Sequence, residues 1–245
     1  MNTRNQLILT HSAIVMALVV FFGSFVLTGW LPPPSPTLSD AELSAMFAPQ
    51  NYVLRIGVLL MCFVSPLVVG FAAVIATQLK RIEGEHHVMA NLQYVSAAAG
   101  LCLFLVPGFI WLAISYRTGT SPELIRVLND LAWFMFLAGA SPTILQWLCI
   151  GIAVIGDPSP NPIYPRWFAY LNFWLAFGAV SGQAIPFVKS GPFAYNGFFG
   201  FWMVAFVFFL WVSTAWWCTL KAVKGQAQVQ ARAGTRPLAA HPATS

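Results

Sequence analysis

Charge is what this sequence has least of: Asp, Glu, Lys and Arg make up 8% of its 245 residues, against about 25% in a soluble domain. That shortage excludes a soluble globular fold, and equally a highly charged disordered chain or a coiled coil. Acids are scarcer than bases, 7 residues against 12, and there are only four histidines, too few for the clustered motifs of integral-membrane di-iron oxygenases. The four cysteines, Cys62, Cys102, Cys149 and Cys218, lack metal-ligand spacing and read as reduced packing residues. A Walker A loop, a G-x-S-x-G elbow, an H-E-x-x-H pair and a dinucleotide fingerprint are all missing. ATP-driven transport by this chain alone and serine or zinc hydrolysis therefore have no support. No helix carries the spaced arginines of a voltage sensor.

What is abundant is apolar: 58% of residues are hydrophobic and 15% aromatic. The few charges leave six charge-free intervals, 5–39, 56–79, 86–116, 131–156, 167–188 and 190–220. Each is long enough for a helix of roughly 20 residues to cross about 30 Å of hydrocarbon. The expected fold is all-α, a polytopic integral membrane protein with six transmembrane helices near 7–31, 52–79, 88–116, 122–155, 165–186 and 194–223. Pro32-Pro33-Pro34 stops the first helix, and Ser121-Pro122-Glu123 opens the fourth as N-cap, first-turn proline and dipole-compensating acid. The first apolar run is too long for a signal-peptide core and reads as a retained helix. In the loop after it, Ser39 can cap a short helix whose Leu43, Met46 and Phe47 would lie along the membrane interface. The segment 225–245 lacks an apolar period and is expected to be a disordered cytoplasmic tail.

Orientation follows from Lys and Arg in the short loops. With the N-terminus inside, Arg4, Lys80, Arg81, Arg166, Lys221, Lys224, Arg232 and Arg236 are cytoplasmic, while Arg55, Arg117, Arg126 and Lys189 lie opposite. Eight against four places both termini in the cytoplasm and the chain in a cytoplasmic or inner membrane. The net charge of +5 then reads as membrane anchoring, with lipid rather than nucleic acid as partner.

Polar residues in a membrane helix usually face the bundle interior, and here they concentrate at the outer end. Arg55 precedes Pro66 by eleven residues and Asp130 precedes Pro142 by twelve, on two helices running the same way, so the two are expected at similar depth and able to pair. Glu123, Arg126 and Asp130 share one helix face, with Asn129 beside them. Asn51, Lys189, Tyr195 and Asn196 reach the same end, and Trp111, Trp133 and Trp202 supply rings. Pro66, Pro107 and Pro142 can bend their helices and part them. A ring of interfacial anchors explains these residues structurally. Functionally they outline an outer-leaflet cavity among the second to sixth helices, with Asn51, Trp111, Asn129, Trp133, Lys189, Asn196 and Trp202 as its ligand-binding residues.

The function expected on this basis is to bind, pass or present a small apolar or amphipathic molecule, with an accessory-subunit role included. The alternative is a cofactor-independent isomerase, hydratase or cyclase acting on a lipid-like substrate, with Asp130, Arg55, Arg126 and Tyr195 as catalytic residues. No cofactor is expected. His11, His86 and His87 approach the cytoplasmic boundary and are the residues a haem b or a metal would use, but their spacing defines no ligand set. Ala72 with Ala76 and Gly178 with Gly182 are small-residue pairs that permit close helix contact, either within the chain or in a homo-oligomer or larger membrane complex.

Overall fold

Long apolar runs with so few charges leave the backbone one way to satisfy its polar groups in lipid, which is to coil. The computed structural model describes residues 3–48, 50–117 and 119–234, and among these it contains no strand. The protein is a helical membrane bundle. Five helices are long and apolar enough to cross a membrane: α1 (Thr3–Leu27), α3 (Tyr52–Glu83), α4 (Val88–Tyr116), α5 (Pro122–Ile155) and α7 (198–234). The short α2 (Asp40–Met46) lies between α1 and α3, and α6 (166–187) between α5 and α7.

The helix α6 reaches its length by a change of pitch. Arg166–Ala179 is α-helical over 14 residues, and Val180–Phe187 continues as 8 residues of 3-10 helix. At 1.5 and 2.0 Å per residue these segments rise about 21 and 16 Å, enough together for the hydrocarbon thickness. Beyond Lys224 the sequence KGQAQVQARAG contains good helix formers and no proline, so α7 runs on to Gly234 through the first part of the segment expected to be disordered. Residues 235–245, with Arg236 and His241, lie outside the described residues.

Consecutive long helices are neighbours, and α7 packs back on α1, closing the ring α1–α3–α4–α5–α6–α7. Small residues allow these contacts. A Cβ on Gly57 would lie 2.4 Å from the Gly23 carbonyl oxygen, so α1 and α3 cross backbone to backbone. Gly178 and Gly182 meet Val207 and Val204 of α7, which assigns that pair to a contact within the chain. Ala72 and Ala76 are buried, and the Ala72 carbonyl accepts from Gln93 Nε2 of α4 at 3.0 Å.

Two of the interrupted helices have a proline at the break. At Ser65-Pro66 α3 divides into Tyr52–Val64 and Leu67–Glu83. Pro142 opens the second part of α5 after a π-helical turn at Phe134–Ala138. Pro107 instead sits inside an unbroken stretch, Cys102–Tyr116, where Cys62 Sγ reaches the Phe104 carbonyl at 3.9 Å. Two more π-helical turns close α1 (Phe22–Leu27) and open α7 (Phe198–Trp202).

The loop helix α2 forms as its sequence directs: Glu42 N–H donates to Ser39 Oγ, and Glu42 Oε2 accepts from the Ser39 N–H and hydroxyl. Those hydrogen bonds hold the Glu42 carboxyl below the usual glutamate range. Its apolar side faces the bundle, with Leu43 and Phe47 buried in the protein core. Arg126 of α5 fixes α2 there, pairing with Asp40 and donating to the Leu38 carbonyl at 2.9 Å.

Candidate functional site

The residues marked out by sequence fall into three places. At the end of the bundle carrying the α1–α3 and α6–α7 loops, the helix α1 stops at Leu27, and Gly29 with φ +73° turns the chain so that Trp30 enters the core. Trp30, Trp111 and Trp133 pack on one another with ring centres 4.7, 5.4 and 5.0 Å apart. Trp111 Nε1 donates to Asn129 Oδ1 at 3.2 Å, Asn129 Nδ2 to the Tyr195 hydroxyl at 3.5 Å, and that hydroxyl to Asp130 Oδ1 at 3.4 Å. The Tyr195 ring stacks on Trp133, 5.4 Å away and tilted by 11°. Thus Trp111, Asn129, Asp130, Trp133 and Tyr195 do come together, and Trp30, which the sequence reading passed over, packs into the space expected to be open.

The other expected members make no hydrogen bond to this set, although Arg126 and Lys189 lie close enough to act on the Asp130 carboxylate through their charge. Arg55 does not pair with Asp130: α4 stands between α3 and α5 in the ring, and Arg55 donates to the Ser115 carbonyl of α4 instead. Arg126 is held by Asp40. Asn51 caps α3, accepting from Leu54 N–H at 3.2 Å and donating to the Met46 carbonyl at 3.1 Å. Lys189 lies exposed in the α6–α7 loop and Asn196 half-buried in it. The histidines are split between elements, with His11 Nδ1 accepting from Trp216 Nε1 of α7 at 3.3 Å and His86 and His87 in the α3–α4 turn. No group of three or more His, Cys, Asp or Glu side chains suited to a metal occurs among the described residues.

The second place is apolar. A central cavity of about 70 Å³ is walled by Phe25, Phe104, Phe136, Trp147, Phe201 and neighbours from α1, α4, α5 and α7. These helices are not all adjacent in the ring, so the cavity is interior. Each of the three π-helical turns contributes to it: Phe25 from Phe22–Leu27, Phe136 and Leu137 from Phe134–Ala138, Phe201 from Phe198–Trp202. A π turn carries one more residue than an α turn and recurs at functional sites. Trp147 stacks on Trp211 at 5.4 Å, and Trp211 Nε1 donates to Asn172 at 2.9 Å. The Trp147 indole N–H is buried without an acceptor.

Beside this cavity runs a groove of about 710 Å³ on the outside of the bundle between α1 and α7, carrying exposed Leu18, Leu31, Trp202 and Phe206. Phe25, Phe201, Ala205 and Phe209 line both spaces, so the partition is one layer of side chains. Within it Phe25 meets Phe201 edge to face at 5.3 Å, and on the groove side Phe21 meets Phe209 edge to face at 5.7 Å. Of the seven expected ligand-binding residues, Trp202 is the one that lines this groove. The others were chosen by polarity and depth. The groove is marked instead by phenylalanines spaced along the ends of the first and last helices, a pattern that packing residues share.

The third place, at the opposite end of the bundle, is polar. Gln78 Nε2 of α3 donates to Gln6 Oε1 of α1 at 2.6 Å and to Gln226 Oε1 of α7 at 2.8 Å, while its Oε1 accepts from Arg81 Nη1 at 2.5 Å. Nearby, the Tyr164 hydroxyl and Thr219 are 3.2 Å apart; burial pushes the phenol well up, so it stays neutral. Comparison with protein-family models, curated proteins and solved structures finds no match to this chain.

Proposed function

We propose that this protein binds a small, largely apolar molecule with one hydrogen-bond acceptor, taken from the lipid between α1 and α7. The Trp147 N–H carries this reading. A buried donor left without a partner costs about 1–3 kcal/mol, and Trp147, whose N–H has none, is a wall residue of a cavity lined otherwise by apolar side chains and Thr143. An oxygen on the bound molecule relieves that cost. A cavity of about 70 Å³ is smaller than the roughly 150 Å³ that takes benzene. Only the acceptor end therefore enters, while the body lies in the α1–α7 groove. Rotation of Phe25, Phe201 or Phe209 opens the way.

The excess of basic residues at the Lys80 end supports cytoplasmic termini; the groove then opens to the outer half of an inner membrane. A protein that holds a lipid-borne molecule this way presents it to a partner or passes it on, as an accessory subunit does.

Native mass spectrometry of the full chain from mild detergent tests the reading. The wild type should retain a small molecule. Ala205→Trp, which fills the partition, should carry at least fivefold less. Trp147→Phe, which keeps the stacked ring and removes the N–H, should show a similar loss. An empty wild type, or equal retention in both variants, would overturn it.

The Tyr195 to Asp130 hydrogen bond favours a second reading, a cofactor-independent enzyme that moves a proton between this pair and a lipid-like substrate. On that reading Asp130→Asn abolishes turnover with the melting temperature unchanged; equal loss of fold assigns the pair to packing.

A further inference from the structure

At the Lys80 end, away from the apolar groove, a cleft of about 540 Å³ lies between α3, α7 and the segment that leads into α6. Arg81 and Lys221 line it together with Asn161, Trp167, Trp217 and Gln226, and neither Asp nor Glu is among its lining residues. Asp157, in the segment that leads to α6, is buried and committed, its two carboxylate oxygens accepting from Ser159 and Ile163 N–H at 2.9 and 3.1 Å. Among the described residues neither Arg81 nor Lys221 makes an ion pair, so the cleft concentrates positive charge.

Its walls are amphipathic. Lys221 Nζ rests 3.5 Å from the centre of the Trp217 ring, and Trp167 of α6 stands 6.0 Å from Trp217. Arg81 gives one donor to Gln78, and a guanidinium has five. Cations beside indoles, at the level where several spans end, are the groups that meet lipid headgroups. From this juxtaposition we infer that the cleft binds a phosphate anion carried on an amphiphile, with Arg81 and Lys221 on the phosphate and Trp167 and Trp217 against the adjoining apolar chain.

The test measures melting of the full chain in mild detergent with added phosphatidylglycerol, phosphatidylcholine or inorganic phosphate. Phosphatidylglycerol should raise the melting temperature and phosphatidylcholine should not. Lys221→Gln should weaken the response about fivefold and Arg81→Gln with Lys221→Gln about thirtyfold, at ~1 kcal/mol per cation, with Lys221→Arg restoring it. Inorganic phosphate stabilising as well as the anionic lipid, and losing its effect in the same variants, would support the phosphate site and assign it to a soluble ligand. Equal effects of the two lipids, or variants that respond like wild type, would overturn the inference. Because Arg81 also holds Gln78, Lys221→Gln alone decides the matter if the double variant fails to fold; Lys221 is exposed and its removal leaves the Gln78 network whole.

Discussion

At the scale of single residues, one of the closest helix crossings is made by atoms that are absent. Gly23 and Gly57 let α1 and α3 touch through their backbones, and a Cβ at either would fall 2.7 or 2.4 Å from the other's carbonyl oxygen. Backbone cannot rotate aside as a side chain does, so Gly57→Ala forces the helices apart; overpacking of this kind typically costs about 1–3 kcal/mol. The variant should melt well below wild type in detergent, whereas Gly225→Ala, where a Cβ meets nothing within 4 Å, should not. Residues also show where sequence reading stops. Depth along a helix was legible, and it brought Asp130, Asn129, Tyr195, Trp111 and Trp133 to one level, where the structure joins them. Angle around the bundle was not. Arg55 faces Ser115 because α4 intervenes, and no count of residues from a proline contains that information.

At the scale of elements, local chemistry was the readable part. Ser39 with Glu42, and Ser121 with Pro122, start helices where their capping groups predict. For α2 the cap has a pH dependence. The Glu42 carboxyl is lowered in the folded protein, so its contribution is complete above the unfolded value of about 4.3 and is lost as pH falls through the lower folded value. Protease accessibility of the α2 loop should rise in that acid range, and in Ser39→Ala it should already be high at neutral pH. Changes of pitch were not readable. The π turns of α1, α5 and α7 and the 3-10 segment of α6 arise where side chains from several helices must meet, a tertiary demand that local propensity does not encode. Helix α7 errs the other way, since 225–234 has helix-forming composition without an apolar stripe.

At the scale of the whole molecule, a ring of six helices that closes by packing of α7 on α1 is also tied at one end by one amide. Gln78 bridges α1 and α7 while Arg81 occupies its own oxygen, so the side chain is satisfied on both its polar atoms. Removing it takes away the donor that Gln6 Oε1 and Gln226 Oε1 share. Interhelical hydrogen bonds in membranes average about 0.6 kcal/mol with a maximum near 1.7, so Gln78→Leu, which loses two, should cost on the order of 1–3 kcal/mol. The bonds share one donor group, and the effects of Gln78→Leu and Gln6→Leu should therefore not add. A double-mutant cycle on melting in detergent should give a coupling of at least half the Gln6→Leu effect. Strict additivity would mean that α1 is held at this end by packing alone. The same substitution also frees Arg81 from α3's own amide, so the phosphate response of the neighbouring cleft should change with it, linking the closure of the ring to the site at its edge.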